Sequence, residues 1–279
     1  MEWIIAMKKK ELKSQKKLNR YKELIEKVFF TNYKEGANEV SFLREDILNI
    51  AEKLEIKSPK NIGDVIYSFR FRIPFPDSII KLAPKGKEWV IRLIGKGRYQ
   101  FSLAQNSRII PNLLISETKI PDATPGIIKR YTQDDEQALL TKLRYNRLLD
   151  IFTGLTCYSL QNHLRTYIAD IGQVETDELY IGLDKRGVHY ILPVQAKGGD
   201  DQLGIVQMEQ DFALCQEKFP ILVCIPIAAQ FIEKELIALF SFKQTDKGIA
   251  IINEKHYRLV DTNDLSEKEI QCYNIPNEN

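Results

Sequence analysis

Residues that most often carry metal or redox chemistry are scarce in this chain of 279 residues, which has three histidines and four cysteines. His163, His189 and His256 form no HExxH or similar pair, so zinc chemistry has no ligand set to stand on. Cys157, Cys215, Cys224 and Cys272 show no CxxC spacing and lie in apolar or amphipathic segments, where reduced, buried thiols are expected. No apolar run reaches the ~18 residues that span a bilayer. The stretch from Met1 to Met7 runs into a lysine cluster without the long apolar centre of a signal peptide. The expectation is a cytoplasmic chain with no membrane partner.

What is present is an ordinary globular balance, 44% hydrophobic and 28% charged, at a length that suggests two domains. The net charge of +2 conceals a polarity. Residues 1–130 hold 26 Lys and Arg against 15 Asp and Glu, whereas 131–279 hold 14 against 23. A basic half joined to an acidic half fits a polyanion-binding module attached to one that concentrates cations. The expected division is therefore a basic recognition domain over 1–130 and a catalytic domain over 131–279. The proline-rich stretch 105–135 would connect them.

In the basic half, Lys8 to Phe30 carries Leu12, Leu18, Tyr21, Ile25 and Phe29 at loose helical spacing, and Ser41 to Leu54 reads as a second helix. Ser58-Pro59 predicts a third helix running to about Arg72, with Ile62, Val65, Ile66 and Phe69 as its apolar face. Its other side shows Lys60, Asn61, Asp64, Ser68 and Arg70. Two strand-like runs, Glu88 to Ile94 and Arg98 to Leu103, then flank Gly95-Lys96-Gly97. Helix, helix and basic hairpin in this order resemble a winged helix-turn-helix. The resemblance implies that Asn61, Asp64, Ser68 and Arg70, with Lys60 nearby, lie near base edges, and Lys96 and Arg98 near phosphates. The same module could serve packing or dimerisation instead.

In the acidic half, Glu136 to Thr153 and Tyr158 to Asp170 predict two helices. The stretch from Val174 to Gly199 then alternates as a strand, with Glu175, Asp177, Leu179 and Ile181 on one face and Thr176, Glu178 and Tyr180 on the other. It turns at Asp184-Lys185-Arg186-Gly187 and returns as a second strand ending in Gln195-Ala196-Lys197. Antiparallel pairing brings Gln195 and Lys197 alongside Asp177. A helix over Asp201 to Lys218 carries Gln207, Gln210 and Asp211, and further strands follow at Ile221 to Ile227, Ile249 to Asn253 and His256 to Val260. The fold class expected is α/β, a mixed central β-sheet flanked by helices.

An acid on one strand followed on the next by Gln-x-Lys resembles the PD-(D/E)XK nuclease superfamily, in particular type II restriction endonucleases. The resemblance implies a restriction-endonuclease-like core and Mg²⁺ as cofactor. Asp177, Gln195 and the Ala196 carbonyl would hold the metal, and Lys197 would act on the attacking water. Two departures stand out. Gln195 is neutral where most members carry a carboxylate, and Val174 replaces the proline. Glu175 and Glu178 are on hand to compensate the charge, Glu136 could add a helical acid, and Gln207 could face the DNA. Glu136 would equally suit a helix N-terminus, and the hairpin could be a solvated one with charged ends.

The function implied is a sequence-specific double-stranded DNA endonuclease, acting as a homodimer on a palindromic target. A repair, junction-resolving or mobile-element nuclease, or a catalytically inactive DNA-binding regulator, would use the same residues.

Overall fold

The computed structural model describes residues 2–57, 59, 61–105, 107–132, 135–198, 203–246 and 248–274, with side chains from residue 17 onward. The chain forms two compact units. The first comprises Met1–Arg108, Tyr167–Gln173 and Gly204–Val206; the second comprises Ile109–Thr166, Val174–Leu203 and Gln207–Asn279.

The first unit runs α1 (Glu2–Asn32), β1 (Glu39–Leu43), α2 (Arg44–Lys53), α3 (Ile62–Phe71), α4 (Asp77–Ile80), β2 (Glu88–Leu93) and β3 (Arg98–Ala104). Its three strands form an antiparallel sheet in the order β1-β3-β2. The helix expected from Ser41 begins three residues later. Period-two alternation buries Val40 and Phe42 while Glu39, Ser41 and Leu43 stay outside, so this segment pairs with β3 as a strand. Helix α2 starts where the Asp46 carboxylate accepts the Leu43 N–H at 2.7 Å. Asn61, rather than Ser58, caps α3, accepting the Gly63 N–H at 3.0 Å; Ser58 and Lys60 lie outside the described residues. Leu24, Ile25, Val28 and Phe29 of α1 pack with Ile47, Val65, Phe69, Ile91 and Phe101 into one core. Phe29 meets Phe101 edge-on at 5.0 Å. Each such buried side chain contributes about 1.5–3 kcal/mol.

The second unit contains the short β4 (Arg108–Ile109), β5 (Glu117–Pro121), α5 (Gly126–Tyr131), α6 (Glu136–Tyr145), α7 (Leu148–Thr153), β6 (Thr156–Ile168), β7 (Gly172–Leu183) and β8 (His189–Lys197). There follow β9 (Leu203–Gly204), α8 (Ile205–Lys218), β10 (Val223–Cys224), β11 (Ile227–Glu233), β12 (Leu236–Thr245), β13 (Gly248–Val260) and α9 (Glu267–Tyr273). Among the described residues an eight-stranded mixed sheet has the order β5-β13-β12-β11-β8-β7-β6, with β10 also beside β8. Strands β7 and β8 are antiparallel, while β8 and β11 are parallel and joined by way of α8. Strand β5 pairs with β13 and so lies in this sheet, within the stretch read as a connection.

Two expectations fail here for tertiary reasons. The helix expected over Tyr158 to Asp170 is strand β6, which extends the sheet beside β7. Its start is fixed by Gly154, at φ +70, which ends α7, and by Asp150, whose carboxylate accepts the Cys157 N–H at 3.0 Å. Sheet pairing outweighs a weak helical pattern. The single helix expected over Glu136 to Thr153 breaks at Arg147, which takes a left-handed φ of +52.

Helices cover both faces of the sheet. Leu139, Leu140 and Leu143 of α6 and Leu148 of α7 pack with Leu192, Val194, Ala196 and Ile227. On the other face Met208 and Phe212 of α8 pack with Ala228, Ala238 and Phe240. Alternation along β8 therefore sends Val194 and Ala196 towards α6 and α7, and Gln195 towards α8.

Candidate active site

The β7–β8 hairpin is built by its turn. Asp184 accepts the N–H groups of Arg186 at 2.8 Å and Val188 at 2.9 Å, and Gly187 takes φ +80 as the tight return requires. These bonds, the one from Val188 first, hold the Asp184 carboxyl down at about 2. From that turn the register runs back as Leu183 opposite His189 to Glu178 opposite Val194. Beyond it, side chains take over the backbone groups. The Asp177 Oδ2 accepts the Ala196 N–H at 2.8 Å, and Thr176 Oγ1 donates to the Val194 carbonyl at 3.3 Å. The ladder ends where the charged groups begin.

Asp177 is thus tied to the Gln195-Ala196-Lys197 strand end. Burial pushes its carboxyl up, and the Lys197 charge and the Ala196 N–H pull it back. Lys197 is itself buried, and its Nζ lies 2.8 Å from Oε1 of Glu136 in the first turn of α6. Gly198 makes this approach possible. A Cβ there would lie 3.0 Å from the Asp135 carbonyl carbon and 3.1 Å from the Glu136 nitrogen. Asp135 caps α6 by accepting the Ala138 N–H at 3.0 Å, which fixes where Glu136 begins its helix.

Gln195 is 2% exposed, and every hydrogen-bonding group of its amide is used. Its Nε2 donates to the Glu175 carbonyl at 3.0 Å and to the Asp211 carboxylate at 3.0 and 3.1 Å. Its Oε1 accepts from Gln207 Nε2 at 3.3 Å. Asp211 is fully buried, and burial pushes its carboxyl well above the usual range, with the Gln195 amide partly offsetting it. A glutamate could not make the two donor contacts, so the neutral residue of the half-motif is dictated by its neighbours. This network engages Gln195, which the resemblance assigned to the metal, and Gln207, which it assigned to DNA. Gln207 and Asp211, one turn apart on an otherwise apolar helix face, were the sequence signal for it.

The acids expected to compensate Gln195 are employed elsewhere. The Glu175 carboxylate pairs with Arg165 at 2.9 Å and His163 at 2.9 Å. Glu178 lies on the opposite face of β7, buried, bonded to Arg144 of α6 and accepting from Tyr180 Oη at 2.5 Å. The structure therefore ties Asp177 to the Ala196 N–H and Lys197 to Glu136, places Gln195 behind them, keeps Glu175 near enough for its charge to raise the Asp177 carboxyl, and leaves Glu178 on the opposite face of β7.

In the first unit three residues assigned to base edges have structural duties. Asn61 caps α3. Asp64 accepts from Tyr21 Oη at 2.8 Å and pairs with Lys17 at 2.7 Å, and Lys17 holds its carboxyl below the usual range. Ser68 is buried and donates to the Asp64 carbonyl at 2.6 Å. Arg70 lies over the Phe71 ring at 4.8 Å, and Lys96 and Arg98 are exposed at the β2–β3 turn.

Among the described residues no group of three or more His, Cys, Asp and Glu side chains is placed to hold a metal ion. Two carboxylates, on Asp177 and Glu136, both act on the Lys197 ammonium. Each is a hard oxygen donor, the ligand type that Mg²⁺ takes alongside its waters. No helix among the described residues is long and apolar enough to cross a membrane. No family model, no curated protein and no solved structure matches the chain.

Proposed function

We propose that the chain is a Mg²⁺-dependent endonuclease of double-stranded DNA, with a PD-(D/E)XK-like core in the second unit and a winged-helix-like reader in the first. The observation that carries this reading is the convergence of Asp177, Lys197 and Glu136 at one end of antiparallel β7 and β8. Helix α8 supports it by turning Gln207 and Asp211 onto Gln195. The reader is supported by the α2, α3 and β2–β3 order with Lys96 and Arg98 at the hairpin tip.

Asp177 and Glu136 would hold the metal; when bound, Mg²⁺ neutralises phosphate charge and makes water a better nucleophile. Lys197 would orient the attacking water, which gives up its proton as a bond forms to phosphorus, while the bond to the leaving oxygen breaks in line and that oxygen takes a proton from solvent. Asp211 and Gln207 hold Gln195, and so the strand end, in place. Cutting both strands of a palindromic target would take two copies.

The test is supercoiled plasmid with Mg²⁺. Lys197→Ala should abolish nicking and linearisation while leaving duplex binding within a few-fold. Cutting at the wild-type rate in that variant would reject the assignment.

A further inference from the structure

Two basic side chains of β6, His163 and Arg165, close on the Glu175 carboxylate within the second unit. His163 Nε2 lies 2.9 Å from Glu175 Oε1, and Arg165 donates to Oε2 from Nε at 3.1 Å and from Nη2 at 2.9 Å. Each carboxylate oxygen thus serves one residue. Glu175 and Asp177 are two residues apart on β7, about 7 Å along a strand. Burial acts first on the Asp177 carboxyl, and the charges of Lys197, Glu175 and His163 also reach it. The pair therefore borders the proposed metal site.

His163 takes a left-handed φ of +54 inside β6, which is uncommon for any residue but glycine. Residues held in that region cluster at active sites and ligand clamps. The His163 and Arg165 side chains are 63% and 56% exposed, so Glu175 braces them without covering them. It uses one imidazole nitrogen and one edge of the guanidinium. His163 Nδ1 and Arg165 Nη1 have no partner among the described residues.

A guanidinium braced along one edge presents its other N–H groups in a fixed plane, the geometry that pairs with phosphate oxygens. Ordering it beforehand lowers the cost of binding. Arg165 also balances the Glu175 charge, so that an approaching phosphate is not turned away by the carboxylate.

We propose that Arg165 and His163, braced by Glu175, bind the phosphate next to the scissile one on the cut strand and so set which phosphate meets Asp177 and Lys197. The inference rests on the endonuclease reading and names a substrate contact of that same site.

The test uses the full chain and a duplex carrying the cut site mapped with the wild type. Arg165→Ala should raise the half-saturating duplex concentration about tenfold while the rate at saturation stays within a few-fold. Anisotropy in EDTA from about 50 to 200 mM salt should show the slope of log K against log salt reduced by about 0.9, one phosphate contact. Arg165→Lys should keep the slope and recover part of the affinity. His163→Asn, which tolerates the left-handed backbone, should weaken binding without changing the unfolding temperature. A neutral methylphosphonate at the neighbouring position should weaken binding by the wild type about tenfold and cost Arg165→Ala nothing further. Glu175→Gln should shrink that methylphosphonate penalty, which a mere loss of stability would not do. An Arg165→Ala variant that binds and cuts as the wild type does, or that pays the full methylphosphonate penalty, overturns the proposal and leaves the endonuclease reading standing. A wild type that cuts no duplex with Mg²⁺ overturns both.

Discussion

Replacing Gln195 by glutamate exchanges one NH₂ for an oxygen, and a family-based expectation is that the change is tolerated, because a carboxylate is the commoner residue in the half-motif. The hydrogen bonds around Gln195 predict damage instead. The new oxygen would face the Glu175 carbonyl, now 3.0 Å from Nε2, and the Asp211 oxygens at 3.0 and 3.1 Å. Two buried acceptors lose their donor, at about 1–3 kcal/mol each. A second carboxyl beside buried Asp211 also forces one of the two to stay protonated. A cost of about 2–6 kcal/mol is a large part of the roughly 5–15 kcal/mol that holds a domain together.

The pH dependence has a definite sign. Burial already raises the folded pKa of Asp211, and the introduced carboxyl beside it would be raised too. An acid with a raised folded pKa adds stability below its unfolded value and loses it as pH rises towards the folded one. The deficit of Gln195→Glu relative to wild type should therefore widen as pH rises above the ordinary carboxylate range. Urea unfolding as pH is raised measures it. Gln195→Glu/Asp211→Asn should recover part of the loss, since an asparagine can donate to the introduced carboxylate but leaves the Glu175 carbonyl unserved. A Gln195→Glu variant with the wild-type midpoint at pH 8 and wild-type cutting would refute the reasoning.

Two further substitutions separate the site from its surroundings. Gly198→Ala puts a methyl 3.0 Å from the Asp135 carbonyl carbon, so the start of α6 must give by a few tenths of an ångström; plasmid cutting should fall about tenfold with only a small change in unfolding temperature, because misplacing a catalytic group costs rate before stability. Glu178→Gln removes the charge opposite Arg144 and should cost about 1–3 kcal/mol in a denaturant titration. It should leave cutting by the folded protein intact, and a stable but inactive variant would move the site to the other face of β7.

The β7–β8 hairpin was legible because alternation and the Asp184-to-Gly187 turn act locally, and the register they fix brings Asp177 to Gln195. Glu136 could be named but not placed, since its meeting with Lys197 depends on how closely Gly198 lets α6 approach. The role of Gln195 was hidden because its principal partner, Asp211, lies sixteen residues away on α8, and the family pattern pointed to a ligand instead. Strand β6 was misread although Leu160, Leu164, Thr166 and Ile168 fall on one face and Ser159, Gln161, His163 and Arg165 on the other, the alternation of a strand. Asp64 and Ser68 looked available on a helical projection, but α1 and the helix backbone claim them.

The most direct test of the central claim is to incubate the wild-type chain and Asp177→Asn with phage DNA, with and without Mg²⁺, and to sequence the ends produced. Ends at a recurring sequence that require Mg²⁺ and vanish in Asp177→Asn are the predicted result. No Mg²⁺-dependent ends from the wild type, or the same ends from Asp177→Asn, would contradict it.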